Sequence, residues 1–174
     1  MKNSYLLLLM LILLSFIIPD KIMKKADKVI AKYYEIENFS KETIVVSEEI
    51  NSITPSEFGK SNFFKIHSEN NLIGYGYIGS ALSKTSDFDY LVLFDSEMII
   101  IKSKVLIYRE EYGGEIGSKR WLKQFNGKSS TSDEVIYGDN IVPISGATIS
   151  VRSMTRSIND LLKSIKTLKN KKVI

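Results

Sequence analysis

Val151, Met154, Ile158, Leu161, Ile165 and Leu168 step along the chain by 3, 4, 3, 4 and 3 positions. That spacing predicts a long amphipathic helix with one apolar stripe, and with Arg152, Arg156, Asp160 and Lys163 on its outer face. A helix of this pattern is held mainly by whatever surface covers the stripe. The sequence supplies such a surface upstream. Residues 63–67, 72–78, 90–94 and 98–108 are rich in β-branched and aromatic side chains, and turn-like stretches such as Ser68-Glu69-Asn70-Asn71 and Asp95-Ser96-Glu97 separate them. The fold expected is α+β, an antiparallel sheet flanked by helices, with the long C-terminal helix following a Ser-Gly-Ala-Thr turn.

Smaller elements fill the rest. A short strand is expected at 43–46, a loop at 51–59, a turn at Gly113-Gly114, a short helix at 118–125 around Trp121, Leu122 and Phe125, and a short strand at 135–137. Gly74, Gly76 and Gly79 interrupt the second main strand, which marks either bulges or places where another group approaches closely. Gly74-Tyr75-Gly76 is not a dinucleotide fingerprint, because no helix start follows to hold a phosphate.

The first nineteen residues are of another kind. Lys2 precedes an apolar run over 5–18, interrupted only by Ser15, and Pro19-Asp20-Lys21 ends it. Fourteen residues span roughly 21 Å as helix, short of a hydrocarbon core of about 30 Å, which favours a signal segment. The absence of a small-x-small site after the run favours an uncleaved anchor. Lysines on both sides leave orientation undecided. Beyond it, Ile22, Ala26, Val29, Ile30 and Tyr33 recur at helical spacing among lysines, which predicts an amphipathic helix. The expected organisation is a leader or anchor at 1–19, a linker helix at 20–38 and one domain at 39–174.

Composition narrows the chemistry. With no cysteine there are no disulfides or thiolate metal sites, so a redox role needs a borrowed cofactor. The single histidine, His67, cannot build a metal site alone and reads as a strand residue. A net charge of +4, spread along the chain, gives little basis for a nucleic-acid partner.

Just before the last helix stands Pro143-Ile144-Ser145-Gly146-Ala147-Thr148-Ile149-Ser150. Small residues permit a tight turn there, and a hydroxyl falls where free backbone N–H groups and the helix dipole favour a phosphate. Arg152 and Arg156 stand close enough in sequence to add positive charge. Physical chemistry alone leaves a second reading open, in which Thr148 or Ser150 simply caps the helix.

The run Ser145-Gly146-Ala147-Thr148 followed by a helix resembles the flavinylation motif of the FMN-binding domain family, which includes flavin-carrying components of the sodium-pumping NADH:quinone reductase and of the Rnf complex. The likeness extends over about residues 72–165, through Gly74-Tyr75-Gly76, the hairpin at 90–101, the strand at 105–110, Gly113-Gly114 and the segment at 121–128. In that family a flavin transferase joins the FMN phosphate to a threonine hydroxyl, and Thr148 is the matching residue. The resemblance implies a cofactor site of Thr148, carrying the covalent FMN, with Ser145, Gly146 and Ala147, and with Glu110, Gly113 and Gly114 as pocket residues. For Glu110 a solvated strand end is the competing reading. One departure stands out: relatives often have an acidic residue six places before the threonine, where this chain has Val142.

The function so implied is an extracytoplasmic electron-transfer flavoprotein, exported or held in the inner membrane through residues 5–18. It would relay electrons to or from a membrane redox protein. The alternatives are an FMN-dependent reductase of a small acceptor and a non-flavinylated envelope binding module of the same fold.

Overall fold

The computed structural model describes residues 18–59 and 61–174. All of the apolar run except Ile18 lies outside them, and no described helix is long and apolar enough to cross a membrane. The described elements run in the order α1 (Asp20–Tyr34), β1 (Ser40–Thr43), α2 (Glu48–Asn51), β2 (Phe63–Ser68), β3 (Asn71–Leu82), β4 (Asp87–Phe94), β5 (Ile100–Ile107), α3 (Lys119–Leu122) and α4 (Thr148–Asn170). Single 3-10 turns precede and follow α3 at Gly114–Gly117 and Lys123–Phe125.

The five strands form one sheet in chain order, and every neighbouring pair is antiparallel. The fold is therefore α+β, as the periodicities predict. β4 explains how the layers are held. Its residues alternate between faces, with Phe88, Tyr90, Val92 and Phe94 in the core beneath α4 and Leu91 and Leu93 in the core beneath α1. Both faces are covered, which is why 90–94 reads as a continuous apolar run rather than an alternating one. On α4 the six stripe residues are all fully buried, each worth about 1.5–3 kcal/mol of burial. α1 buries Ile22, Ala26 and Ile30 against the opposite face of the sheet.

The glycines of β3 mark close approach. A Cβ on Gly76 would lie 2.4 Å from the Phe64 ring, and one on Gly79 would lie 2.4 Å from the Tyr90 hydroxyl. Both make room for aromatic side chains of the neighbouring strands.

Three short elements differ from expectation. β1 falls at Ser40–Thr43 rather than 43–46; it is a largely exposed edge strand, joined to β2 by pairs such as Lys65 with Glu42, and such a strand carries no apolar signal. A single helical turn, α2, precedes the loop at 51–59, with the Ser47 hydroxyl accepting from the Ile50 N–H. At 135–137 there is no strand but one isolated bridge from Tyr137 to Ile141. The Asn159 amide of α4 takes the place of a strand partner, accepting from the Val135 N–H at 3.0 Å and donating to its carbonyl at 2.8 Å.

Candidate functional site

The turn leading into α4 is set by two small residues. Gly146 has φ +76°, a left-handed conformation that glycine adopts at least cost. A Cβ there would meet nothing within 4 Å, so conformation rather than space requires the glycine. Ala147 is then buried and occupies the cap position of α4. It has no side-chain oxygen, and the first helical bond runs from the Val151 N–H to the Ala147 carbonyl at 2.9 Å. The N–H groups of the first turn are left without a side-chain cap.

Thr148 is the first residue of α4 and is exposed. It is not the cap, and its hydroxyl bonds to none of the described residues. Ser150 is not the cap either. It is 2% exposed, and its hydroxyl lies 2.6 Å from that of Ser83 and 3.1 Å from that of Tyr108. Because the Tyr108 hydroxyl donates to the Tyr112 carbonyl at 3.1 Å, Ser150 donates to Tyr108 and Ser83 donates to Ser150. Three hydroxyls, one just after β5, one in α4 and one in the β3–β4 turn, thus tie the start of α4 to the sheet. Sequence reasoning missed this network, since its members are 42 and 67 residues apart and share no local pattern.

Ser150→Ala is expected to cost about 1–3 kcal/mol by stranding the Ser83 and Tyr108 hydroxyls. The urea midpoint measures it; an unchanged midpoint would mean that the network contributes nothing.

Gly113 and Ala147, both proposed from sequence, are brought together. Gly113 has φ +78°, and a Cβ on it would lie 2.7 Å from the Ala147 Cβ and 3.1 Å from the Tyr108 hydroxyl. The turn after β5 thereby presses on the turn before α4. Gly114 faces open space.

Glu110 bonds to the β3–β4 turn. Its carboxylate accepts from the Thr85 N–H at 2.7 Å, the Thr85 hydroxyl at 3.0 Å and the Ser86 N–H at 3.2 Å, so it closes the hairpin turn that carries Ser83. These donors, the Thr85 backbone first, hold its carboxyl below the ordinary glutamate value. A depressed folded pKa gives a contribution that is present above about pH 4.3 and lost as pH falls through the folded value. The Thr85 and Ser86 amides are therefore expected to lose exchange protection in that acid range; protection retained there would contradict this role.

Around the hydroxyl network Leu82, Tyr112 and Ile149 are 67%, 78% and 50% exposed. Ile149 places one such apolar side chain directly next to Thr148 in the chain. The Arg152 guanidinium, one turn into α4, lies 4.8 Å from the centroid of the Tyr137 ring. Val142 is pinned by its backbone: the Trp121 indole N–H donates to its carbonyl and its N–H donates to the Gln124 side-chain oxygen, each at 2.8 Å. Its side chain points outward, 62% exposed. His67 lies in β2 with Glu42 at 3.8 Å.

An α+β fold whose last helix begins at an uncapped Gly-Ala-Thr turn is the setting in which the family match falls. Residues 84–163, from the β3–β4 turn through Thr148 and into α4, match the model of the FMN-binding domain. The resemblance expected over about 72–165 is borne out across this segment. Among solved structures the chain is similar to NqrC of Shewanella oneidensis, at 19% identity and a TM-score of 0.49, over 76% of this chain and 68% of that one. No curated protein matches the chain.

Proposed function

We propose that this chain is an electron-transfer flavoprotein that holds FMN as a phosphodiester on the Thr148 hydroxyl. It relays electrons for a membrane redox system on the extracytoplasmic side. The observation that carries this reading is the exposed hydroxyl of Thr148 on the first residue of a helix without a side-chain cap, inside the segment matching the FMN-binding domain.

The residues present fit the cofactor. Uncapped N–H groups of the first turn and the helix dipole favour the single negative charge of a phosphodiester. Ser145 and Gly146, just before Thr148, are exposed, with open space around Gly146 and around Gly114, and the exposed Ile149 next to Thr148 offers apolar surface for a flavin ring. Gly113 and Ala147 fix the turn, and Glu110 supports it from the hairpin rather than facing the flavin with a free carboxylate. Bound FMN supplies one- and two-electron chemistry, while the protein sets its position and electrostatics. Attachment forms the bond between the Thr148 oxygen and phosphorus as the phosphoanhydride bond of a flavin dinucleotide donor breaks; the nucleoside monophosphate leaves and the hydroxyl gives up its proton. A flavin transferase is the partner that performs this step, and covalent linkage keeps the flavin from being lost outside the cytoplasm.

In the full organisation proposed, residues 1–19 are a leader or inner-membrane anchor, 20–38 lead from it, and 39–174 are the flavin domain. A cleft of about 370 Å³ lined by Tyr77, Gly79, Tyr90, Ser157 and Asp160 favours a second reading, FMN-dependent reduction of a small acceptor. Steady turnover of a soluble acceptor by the flavinylated chain would select that reading over a relay.

Exporting the chain from cells that contain a flavin transferase, then denaturing it, tests attachment. Flavin fluorescence is expected to migrate with the polypeptide, and its absence would end the covalent reading. Val142 stands where relatives often carry an acid, and its side chain is presented outward. Val142→Asp is expected to raise the initial rate of flavinylation and to change stability by no more than about 0.5 kcal/mol. An unaltered rate would show that the transferase does not read this position.

A further inference from the structure

α1 has two opposed faces. Ile22, Ala26 and Ile30 are buried against the sheet, while Lys21, Lys24, Lys28 and Lys32 recur at steps of 3, 4 and 4 and are all exposed. At 3.6 residues per turn these four lysines fall within an arc of about 80° on the outer side. β5 extends the same face. Lys102 and Lys104 pair across the sheet with Leu93 and Leu91, which lie in the core beneath α1, so both lysines stand on the α1 side. The Lys102 ammonium is 5.3 Å from the centroid of the Tyr33 ring. Partial burial, then the charges of Lys119, Lys104 and Lys32, lower the pKa of Lys102.

None of these lysines takes part in an ion pair among the described residues. Residues 1–17 and 60 contain no aspartate or glutamate that might neutralise them. Like charges at i, i+4 repel, as Lys24, Lys28 and Lys32 do. An anionic surface laid against such a face relieves that repulsion.

We propose that this basic face lays α1 flat on an anionic phospholipid surface. Charge complementarity is one support, since juxtamembrane lysines are drawn to anionic headgroups. Continuity is the other: the apolar run ends at Ile18, and the first lysine of the stripe is Lys21. A run seated in the bilayer delivers α1 to the headgroup layer with its lysines unpaired. The sheet then lies between the lipid and α4, so the Thr148 turn stays on the layer away from the membrane, open to a protein partner. The docking itself needs no flavin; only this last consequence rests on the proposed function.

The full chain is reconstituted into vesicles of phosphatidylcholine alone or mixed with phosphatidylglycerol and exposed to a water-soluble amine-acylating reagent. Mass spectrometry then gives labelling rates for Lys21, Lys24, Lys28 and Lys32 relative to the exposed Lys84, Lys166 and Lys171 of the same chain. Those ratios are expected to fall about fivefold in the anionic vesicles, the factor equivalent to about 1 kcal/mol per lysine near such a surface. They should return to the neutral-lipid values in 1 M salt, where charge interactions reach only about 3 Å. Equal ratios in the two lipids would overturn the proposal, as would protection that persists in high salt. Either failure leaves flavin attachment untouched, because the readout does not involve it.

Discussion

Thr148→Ala is expected to yield a folded chain that retains no flavin after denaturation, even when produced with a flavin transferase. The side chain is exposed and caps nothing, so its loss removes the nucleophile without removing a structural contact. Stability should therefore stay within about 0.5 kcal/mol, as for other surface positions free of special features. Thr148→Ser keeps the hydroxyl and should keep some attachment. Ser150→Ala should keep it as well, because that hydroxyl faces Ser83 and Tyr108 rather than solvent. Flavin fluorescence of the denatured chains reads all three variants. Flavin retained by Thr148→Ala, or lost from Ser150→Ala alone, would move the attachment point.

Gly113→Ala should destabilise the protein by about 2–5 kcal/mol. Two costs combine: a left-handed conformation costs a non-glycine residue about 1–2 kcal/mol, and overpacking about 1–3 kcal/mol more. The added Cβ would stand 2.7 Å from that of Ala147, so either Gly113 or the turn before α4 must shift. Against a total stability of about 5–15 kcal/mol this is a large fraction. Gly114→Ala is the control, since its Cβ meets nothing within 4 Å, and it should cost less than about 1 kcal/mol. Urea unfolding of both variants measures the difference through the midpoint. Folded Gly113→Ala should also flavinylate more slowly than the parent chain. Equal midpoints for the two variants would mean that the Gly113 and Ala147 turns do not bear on each other.

The long helix and the sheet were legible because both rest on periodic burial. The stripe from Val151 to Leu168 and the apolar strands facing it lie where their spacing puts them. β1 was displaced because an edge strand of Ser, Lys, Glu and Thr has little apolar alternation to read. The turn at Ser145 to Thr148 was visible as a motif, but spacing alone left Thr148 and Ser150 as rival caps. Only the backbone separates them: Ala147 takes the cap position, Ser150 turns into a hydroxyl network and Thr148 faces out. Gly113, Ala147 and Glu110 were legible as site residues through the family resemblance, but the contact between the Gly113 and Ala147 turns and the bonds from Glu110 to Thr85 and Ser86 were not, because they join segments distant in the chain. Ser83 escaped notice because nothing local distinguishes one serine from another; its role comes from a contact 67 residues away.

Attachment of FMN to Thr148 is tested most directly on the tryptic fragment spanning residues 129–152, which contains Thr148 together with Ser145 and Ser150. The chain is produced with a flavin transferase, digested, and fragmented in the mass spectrometer. The result expected is a mass increment of one FMN less one water, carried by the fragment ions that contain Thr148 and absent from those that contain only Ser145 or only Ser150. An unmodified peptide from a chain exposed to an active transferase would contradict the account, and an increment on either serine would contradict its geometry.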